Sequence, residues 1–180
     1  MDRRGACNTE TTRRTNVLHE VEGDLLLSQA QAIAHGIAPN DDFHIGLALS
    51  LRERWPAMYK DFRHFCQTTH PKPGDAWTWS GADAPRIVNL FTQEGAHGHH
   101  GGHPGKAQLS YVNKSLRELR HIIDKEKLQS IALPRLATGV GGLEWTDVKP
   151  LVEQHLGDLK IPVIVYVVYR KDVRAAEPNL

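Results

Sequence analysis

Residues 16–23 alternate apolar and polar positions, with Val17, His19 and Val21 on one face and Leu18 and Glu20 on the other, which predicts a first strand ending at Gly23-Asp24. Residues 25–31 predict a short helical or turn-like link, and 32–37 (AIAHGI) a short buried strand. After the loop Pro39-Asn40-Asp41-Asp42 the period becomes helical: Ile45, Leu49 and Arg52 share one face, Leu47 and Leu51 another. This helix should stop near Trp55, because Pro56 disfavours helical geometry in the residue before it. A second helix is predicted over about 57–68, with Met58, Phe62 and Phe65 as its apolar stripe.

The breaker at residues 70–74 (HPKPG) precedes an alternating strand at 75–80, in which Trp77 and Trp79 share a face and should pack against a neighbouring helix. A turn at 81–85 and a strand at 86–92 follow, the latter rich in branched and aromatic residues. The loop 93–105 holds five glycines and four histidines. The longest helix is expected over 106–125, buried through Leu109, Val112, Leu116, Leu119 and Ile123. An apolar strand at 131–133 stops at Pro134 and passes through Thr138-Gly139-Val140-Gly141-Gly142 into a helix over about 146–156, with Pro150 in or next to its first turn. The run IPVIVYVVY at 161–169 has the continuous apolarity of a strand covered on both faces. Strands alternating with helices predict a three-layer α/β/α domain on a mixed, mostly parallel sheet.

Composition narrows the function classes. A length of 180 residues suits one domain, expected at 16–170 between a disordered tail at 1–15 and a C-terminal tail at 171–180. The net charge of +1 argues against a partner held by a broad electrostatic field. Cys7 and Cys66 offer no disulfide framework and no paired metal-ligand spacing, so a reducing, cytoplasmic setting and no metal or cofactor are expected. No apolar run approaches the length of a membrane span, so no membrane partner is expected.

Three loops leave strand ends with suggestive chemistry: 38–46, 93–105 and 137–143. In parallel sheets, ligands sit at the carboxyl ends of the strands. A glycine-rich loop between a strand and a helix start presents backbone N–H groups to negative charge, helped by the helix dipole.

With these pieces in hand, the chain resembles a macrodomain, the ADP-ribose-binding α/β module. The segments VEGDLL, AIAHGIAPNDDFHIGLAL, RWP, NLFTQ and ALPRLATGVGGLEW occur in the family's order. AHGI and PRLATGVGGLEW look nearest the branch of terminal ADP-ribose–glutamate hydrolases, antitoxins that remove ADP-ribose from DNA, and ADP-ribose-1″-phosphate phosphatases. The resemblance implies that Asp24 accepts a hydrogen bond from the adenine amino group beside Leu25, although an Asp there also suits a helix N-cap. It implies that Thr138, Gly139, Val140, Gly141, Gly142 and Leu143 hold the diphosphate and distal ribose through backbone N–H groups. Gly46 and Leu47 match the first substrate loop, in which His44 stands where the family has its first glycine. His35 falls among the ligand-binding positions but reads equally as a core histidine.

The family's catalytic pair is absent. Gln93-Glu94 stands where the lysine nucleophile is expected, and Gly141 where the aspartate is expected. The remaining candidates for acid–base work are Asn40, Asp41 and His44, with Asp41 suited to orienting water and a histidine to protonating a leaving group. His97, His99, His100 and His103 suit a phosphate, a metal or merely a lid. Phe91 and Trp145 are candidates for stacking on a ligand, or for the core. The expectation is a monomeric hydrolase acting without a covalent lysine on ADP-ribosylated protein, ADP-ribosylated nucleic acid or ADP-ribose-1″-phosphate. The alternative is an ADP-ribose reader without turnover.

Overall fold

The computed structural model describes residues 18–95 and 104–180. The expected N-terminal tail and the four histidines of the 93–105 loop lie outside the described residues. The chain runs β1 (Leu18–Gly23), a 3-10 helix (Leu25–Leu27), β2 (Ala32–Ile37), α1 (Gly46–Arg54), α2 (Pro56–Thr69), β3 (Ala76–Trp79), β4 (Arg86–Phe91), α3 (Leu109–Glu126), β5 (Ile131–Pro134), α4 (Trp145–Leu156) and β6 (Val163–Tyr169). The six strands form one sheet in the order β1-β6-β5-β2-β4-β3. β3 runs antiparallel to β4, and the other pairings are parallel. This is the mixed, mostly parallel sheet expected from the pattern.

The period of two along each strand divides the core into two layers. Ala32, Ala34, Val88, Leu90, Ile131, Leu133, Val163 and Val165 face α3 and α4, meeting Val112, Leu116, Leu119, Val148 and Val152. The intervening residues Ile33, Ile87, Phe91, Ala132 and Ile164 face the opposite way, onto Leu51 of α1 and Met58, Phe62 and Cys66 of α2. That second layer is aromatic. The Phe62 ring lies 4.8 Å from Phe43, and Phe65 stacks on Trp77 at 5.0 Å. Trp79 Nε1–H donates to Asp61 Oδ2 at 2.9 Å, so both β3 tryptophans pack on α2. Pro56 begins α2 at its first turn, where a missing N–H costs no intrahelical bond.

Two details differ from the pattern. α3 begins at Leu109 because residues 106–108 stay extended, with Ala107 pairing antiparallel to Gln93. Leu109, at the helix start, is accordingly exposed instead of buried. Pro150 lies in the second turn of α4, next to the first.

Residues 171–180 contain no helix or strand, yet they fold back along the segment after β1. Asp24 N–H donates to Val173 O at 2.7 Å, and Gln29 N–H donates to Glu177 Oε2 at 2.8 Å. Ala175 packs beside the aromatic core layer. The expected C-terminal tail is therefore tied to the domain.

Candidate functional site: a cleft along the carboxyl ends of the parallel strands

All five parallel strands deliver their C-terminal ends to one edge of the sheet, and two cavities lie there. The first, about 400 Å³, is lined by Gly23, Asp24, Leu25, Leu26, Gly46, Leu47, Ser50, Pro134, Tyr166 and Tyr169. The second, about 290 Å³, is bounded by Gly36, Asp41, Ile45, Gln93, Arg135 and Gly139 to Gly141, among others. Gly46, Leu47 and Pro134 line both, so the two form one cleft.

At the first end, Asp24 is nearly buried and caps the 3-10 helix: its Oδ1 accepts from Leu26 N–H at 3.1 Å. Its Oδ2 accepts from Asp172 N–H at 3.1 Å. The capping reading therefore holds. It leaves acceptor capacity, because a carboxylate offers about four lone-pair sites. Leu25, also buried, is the first residue of that helix, where the backbone N–H has no intrahelical acceptor. Tyr169, 67% exposed at the end of β6, forms an open aromatic wall. Tyr166 donates its hydroxyl to Glu177 Oε1 at 2.8 Å. Burial, then this bond, raise the phenol far above its ordinary range, so the hydroxyl stays protonated and remains a donor.

At the second end, the chain reverses through Asn40 and Phe43 in left-handed backbone, and Gly46 adopts φ +62° at the start of α1. A side chain on Gly46 would meet no protein atom within 4 Å; its open side is the cleft. Asp41 is buried and lines the cavity, its Oδ1 accepting from Phe43 N–H at 2.7 Å. Asn40 and His44 line neither cavity. Asn40 turns its carbonyl towards Arg63, and His44 is an exposed residue paired through Nδ1 with the Asp42 carboxylate.

The glycine loop closes the cleft's far side. Leu143 N–H returns to Ala137 O at 3.0 Å and Gly142 N–H to Gly139 O at 3.1 Å. Thr138 Oγ1 is spent on Arg135 O at 2.9 Å. The N–H groups of Gly139, Val140 and Gly141 make no backbone bond to a described residue. Gly141 is packed from behind: a Cβ would lie 2.6 Å from Ala137 O and 2.8 Å from Ala107 Cβ. No aspartate fits at Gly141 without moving the loop. Val140, 53% exposed, and Arg135 complete this wall.

His35 is buried below the cleft and lines neither cavity. Its Nε2 pairs with Asn89 Oδ1 at 2.8 Å, and its ring meets Phe43 edge-on. Burial lowers its pKa to about 4, so at neutral pH it is an uncharged core histidine. Phe91 is fully buried, and Trp145 packs on the α3–α4 core layer; neither lines the cleft. Gln93, in the region expected for a lysine, lines the second cavity and donates Nε2–H to Gly105 O at 3.0 Å. Glu94 instead turns to α3, accepting from Gln108 Nε2 at 3.1 Å and from the Tyr111 hydroxyl.

The sequence pattern does not single out Arg135, Tyr166 and Tyr169. Arg135 follows the strand end directly and was legible as a cation at a loop start. The tyrosines became relevant only once β6 was seen beside β1.

The Macro domain family model matches residues 44–152, more than half of the chain. The chain belongs to the Macro domain family. The macrodomain is 29% identical over 154 residues to a DNA ADP-ribosyl glycohydrolase of Thermus aquaticus, covering 83% of this chain and 41% of that protein. It is 27% identical over 172 residues to a DNA ADP-ribosyl transferase–DNA ADP-ribosyl glycohydrolase fusion protein of Thermosipho africanus, covering 88% and 44%. The chain thus spans less than half the length of these relatives. Among solved structures, the macrodomain of Thermus aquaticus DarG superimposes with a TM-score of 0.73 at 28% identity, covering 83% of this chain and 97% of that one. Thermosipho africanus DarTG in complex with ADP-ribose gives 0.74 at 25% identity, covering 90% and 44%.

Proposed function

We propose that this macrodomain binds ADP-ribose and hydrolyses its linkage to nucleic acid, with residues 16–170 supplying the groups that touch the ligand and residues 171–180 bracing them. The observation that carries the reading is the cleft itself. A buried carboxylate stands at one end, and beside the other stands a glycine loop in which the N–H groups of Gly139, Val140 and Gly141 make no backbone bond to a described residue. Adenine suits the first cavity, where Asp24 accepts from its amino group, Leu25 N–H donates to a ring nitrogen and Tyr169 offers a face. The diphosphate suits the middle, against the N–H groups of Gly139 to Gly141 and the charge of Arg135. The distal ribose then reaches Gly46 and Asp41.

Asp41 is the one carboxylate lining the second cavity among the described residues. In the proposed step it holds a water against the anomeric carbon and takes its proton as the water oxygen bonds to that carbon. The bond to the macromolecule breaks, and its electron pair leaves with the departing group. Gln93 supplies no nucleophile, so no covalent adduct forms there. Similarity to proteins named DNA ADP-ribosyl glycohydrolases favours ADP-ribosylated DNA over a protein substrate or ADP-ribose-1″-phosphate.

The deciding experiment is calorimetric titration with ADP-ribose, with AMP and ADP as controls, followed by incubation with an ADP-ribosylated oligonucleotide. Micromolar binding that requires the distal ribose, with release of free ADP-ribose, is expected. Binding without release would make the chain a reader, a reading favoured by the absence of the family's lysine and aspartate. No binding would remove both.

A further inference from the structure

We propose that the C-terminal segment is part of the adenine site and that Glu177 is a positioning residue, holding Asp24 so that the cleft selects adenine over hypoxanthine. The proposal rests on the ADP-ribose reading above. Asp24 is held from two sides. Its own helix supplies Leu26 N–H to Oδ1, but the donor to Oδ2 is Asp172 N–H, 148 residues away in sequence. Asp172 sits in a turn closed by Val173 N–H to Arg170 O at 3.2 Å, with φ +58°. The turn is joined to Gly23 and Asp24 closely enough that a Cβ on Gly23 would lie 2.8 Å from Val173 O and 3.0 Å from Ala175 Cβ.

That turn is tied down by Asp24 N–H to Val173 O at 2.7 Å and Arg170 N–H to Gly23 O at 3.0 Å, and a few residues on by Glu177. Its carboxylate gathers three donors: the Ser28 hydroxyl, Gln29 N–H at 2.8 Å and the Tyr166 hydroxyl at 2.8 Å. Ser28 caps the end of the helix that Asp24 begins, and Tyr166 is a wall of the adenine cavity. One side chain therefore ties the tail to both borders of the cavity while touching none of its interior.

The consequence is base selectivity. Adenine carries an amino donor at the position where hypoxanthine carries a carbonyl acceptor. A carboxylate locked between two N–H groups cannot turn away from that carbonyl, so the acceptor pair repels. A carboxylate released on one side can rotate and admit a bridging water.

The test uses the full chain and compares titrations with ADP-ribose and inosine diphosphate ribose. The unaltered protein should prefer ADP-ribose by about tenfold or more, the scale of one hydrogen bond to a charged acceptor. Glu177→Ala should reduce the preference to within about threefold, and Glu177→Gln, which keeps an acceptor oxygen, should restore part of it. Ser28→Ala, which removes one donor outside the cavity, should give an intermediate ratio. A merely structural role would weaken both ligands equally in the variants, and an unchanged ratio overturns the proposal. Failure of the unaltered chain to bind either ligand would overturn the ADP-ribose reading itself, and is seen before any substitution is made.

Discussion

The two ends of the cleft are built on opposite plans. The Asp24 end is assembled from segments far apart in the chain: the exit of β1, the end of β6 and the C-terminal residues that return to it. The Asp41 end is made by short loops, each leaving its strand and bending within a few residues. Asn40, Phe43, Gly46, Ala137 and Gly142 adopt positive φ there. Long-range ties hold a group in one orientation. Local backbone strain shapes a concave surface whose ligand contacts come from the main chain. The first plan suits reading a base. The second suits gripping phosphate and sugar while a single carboxylate does chemistry.

The sharpest way to separate the ends is to remove one carboxylate from each. Asp41→Ala should lower release of ADP-ribose from a modified oligonucleotide by about a hundredfold or more, the range of a lost general base. Its dissociation constant for ADP-ribose should change only a few-fold. Equal losses in binding and turnover would dissolve the division of labour. Next in size, Gly141→Asp, which restores the residue type the family resemblance leads one to expect, should destabilise the fold by about 1–3 kcal/mol through overpacking and bring no gain in rate. Melting temperature and turnover together check it. A stable, faster variant would show that the loop can open. Asp24→Ala should weaken ADP-ribose binding by about 1–3 kcal/mol, measured by calorimetry.

A separate effect, on stability alone, concerns His35 beneath the distal end. Its folded pKa of about 4 lies below the unfolded 6.5, so the unfolded chain takes up the proton first as the solution is acidified. Stability is then fully present above about pH 6.5 and falls between there and pH 4, by about 3 kcal/mol at most. Denaturant unfolding of the native chain and of His35→Gln at pH 7 and pH 4.5 should show the native chain losing more on acidification. Parallel losses would place the sensitivity elsewhere.

The sheet was readable because its alternation is unusually clean: Ile33, Ile87 and Ile164 face one layer while Ala34, Val88 and Val165 face the other. Pro56 and the glycines near 139–142 marked boundaries for the same local reasons that operate in the folded chain. What escaped was whatever depends on distant pairing. Residues 106–108 read as helix in the sequence because Ala107's partner, Gln93, lies across a loop. The mostly polar run after Tyr169 reads as a tail because its ties are backbone bonds to Gly23–Asp24 and the side-chain bonds of Glu177, with Ala175 packed on the core layer. His44 drew attention by residue type, yet it faces outward, while Arg135 and Tyr169 line the cleft.

The small ladder beside the cleft links two of its walls. Glu94 N–H reaches Lys106 O and Gly105 N–H reaches Glu94 O, both at 3.2 Å, while Ala107 N–H is fastened to Gly141 O at 3.1 Å. These ties join the segment that carries Gln93 to the glycine loop through main-chain bonds alone. Gln93 and Gly141 both line the second cavity, so a displacement of one wall is passed directly to the other.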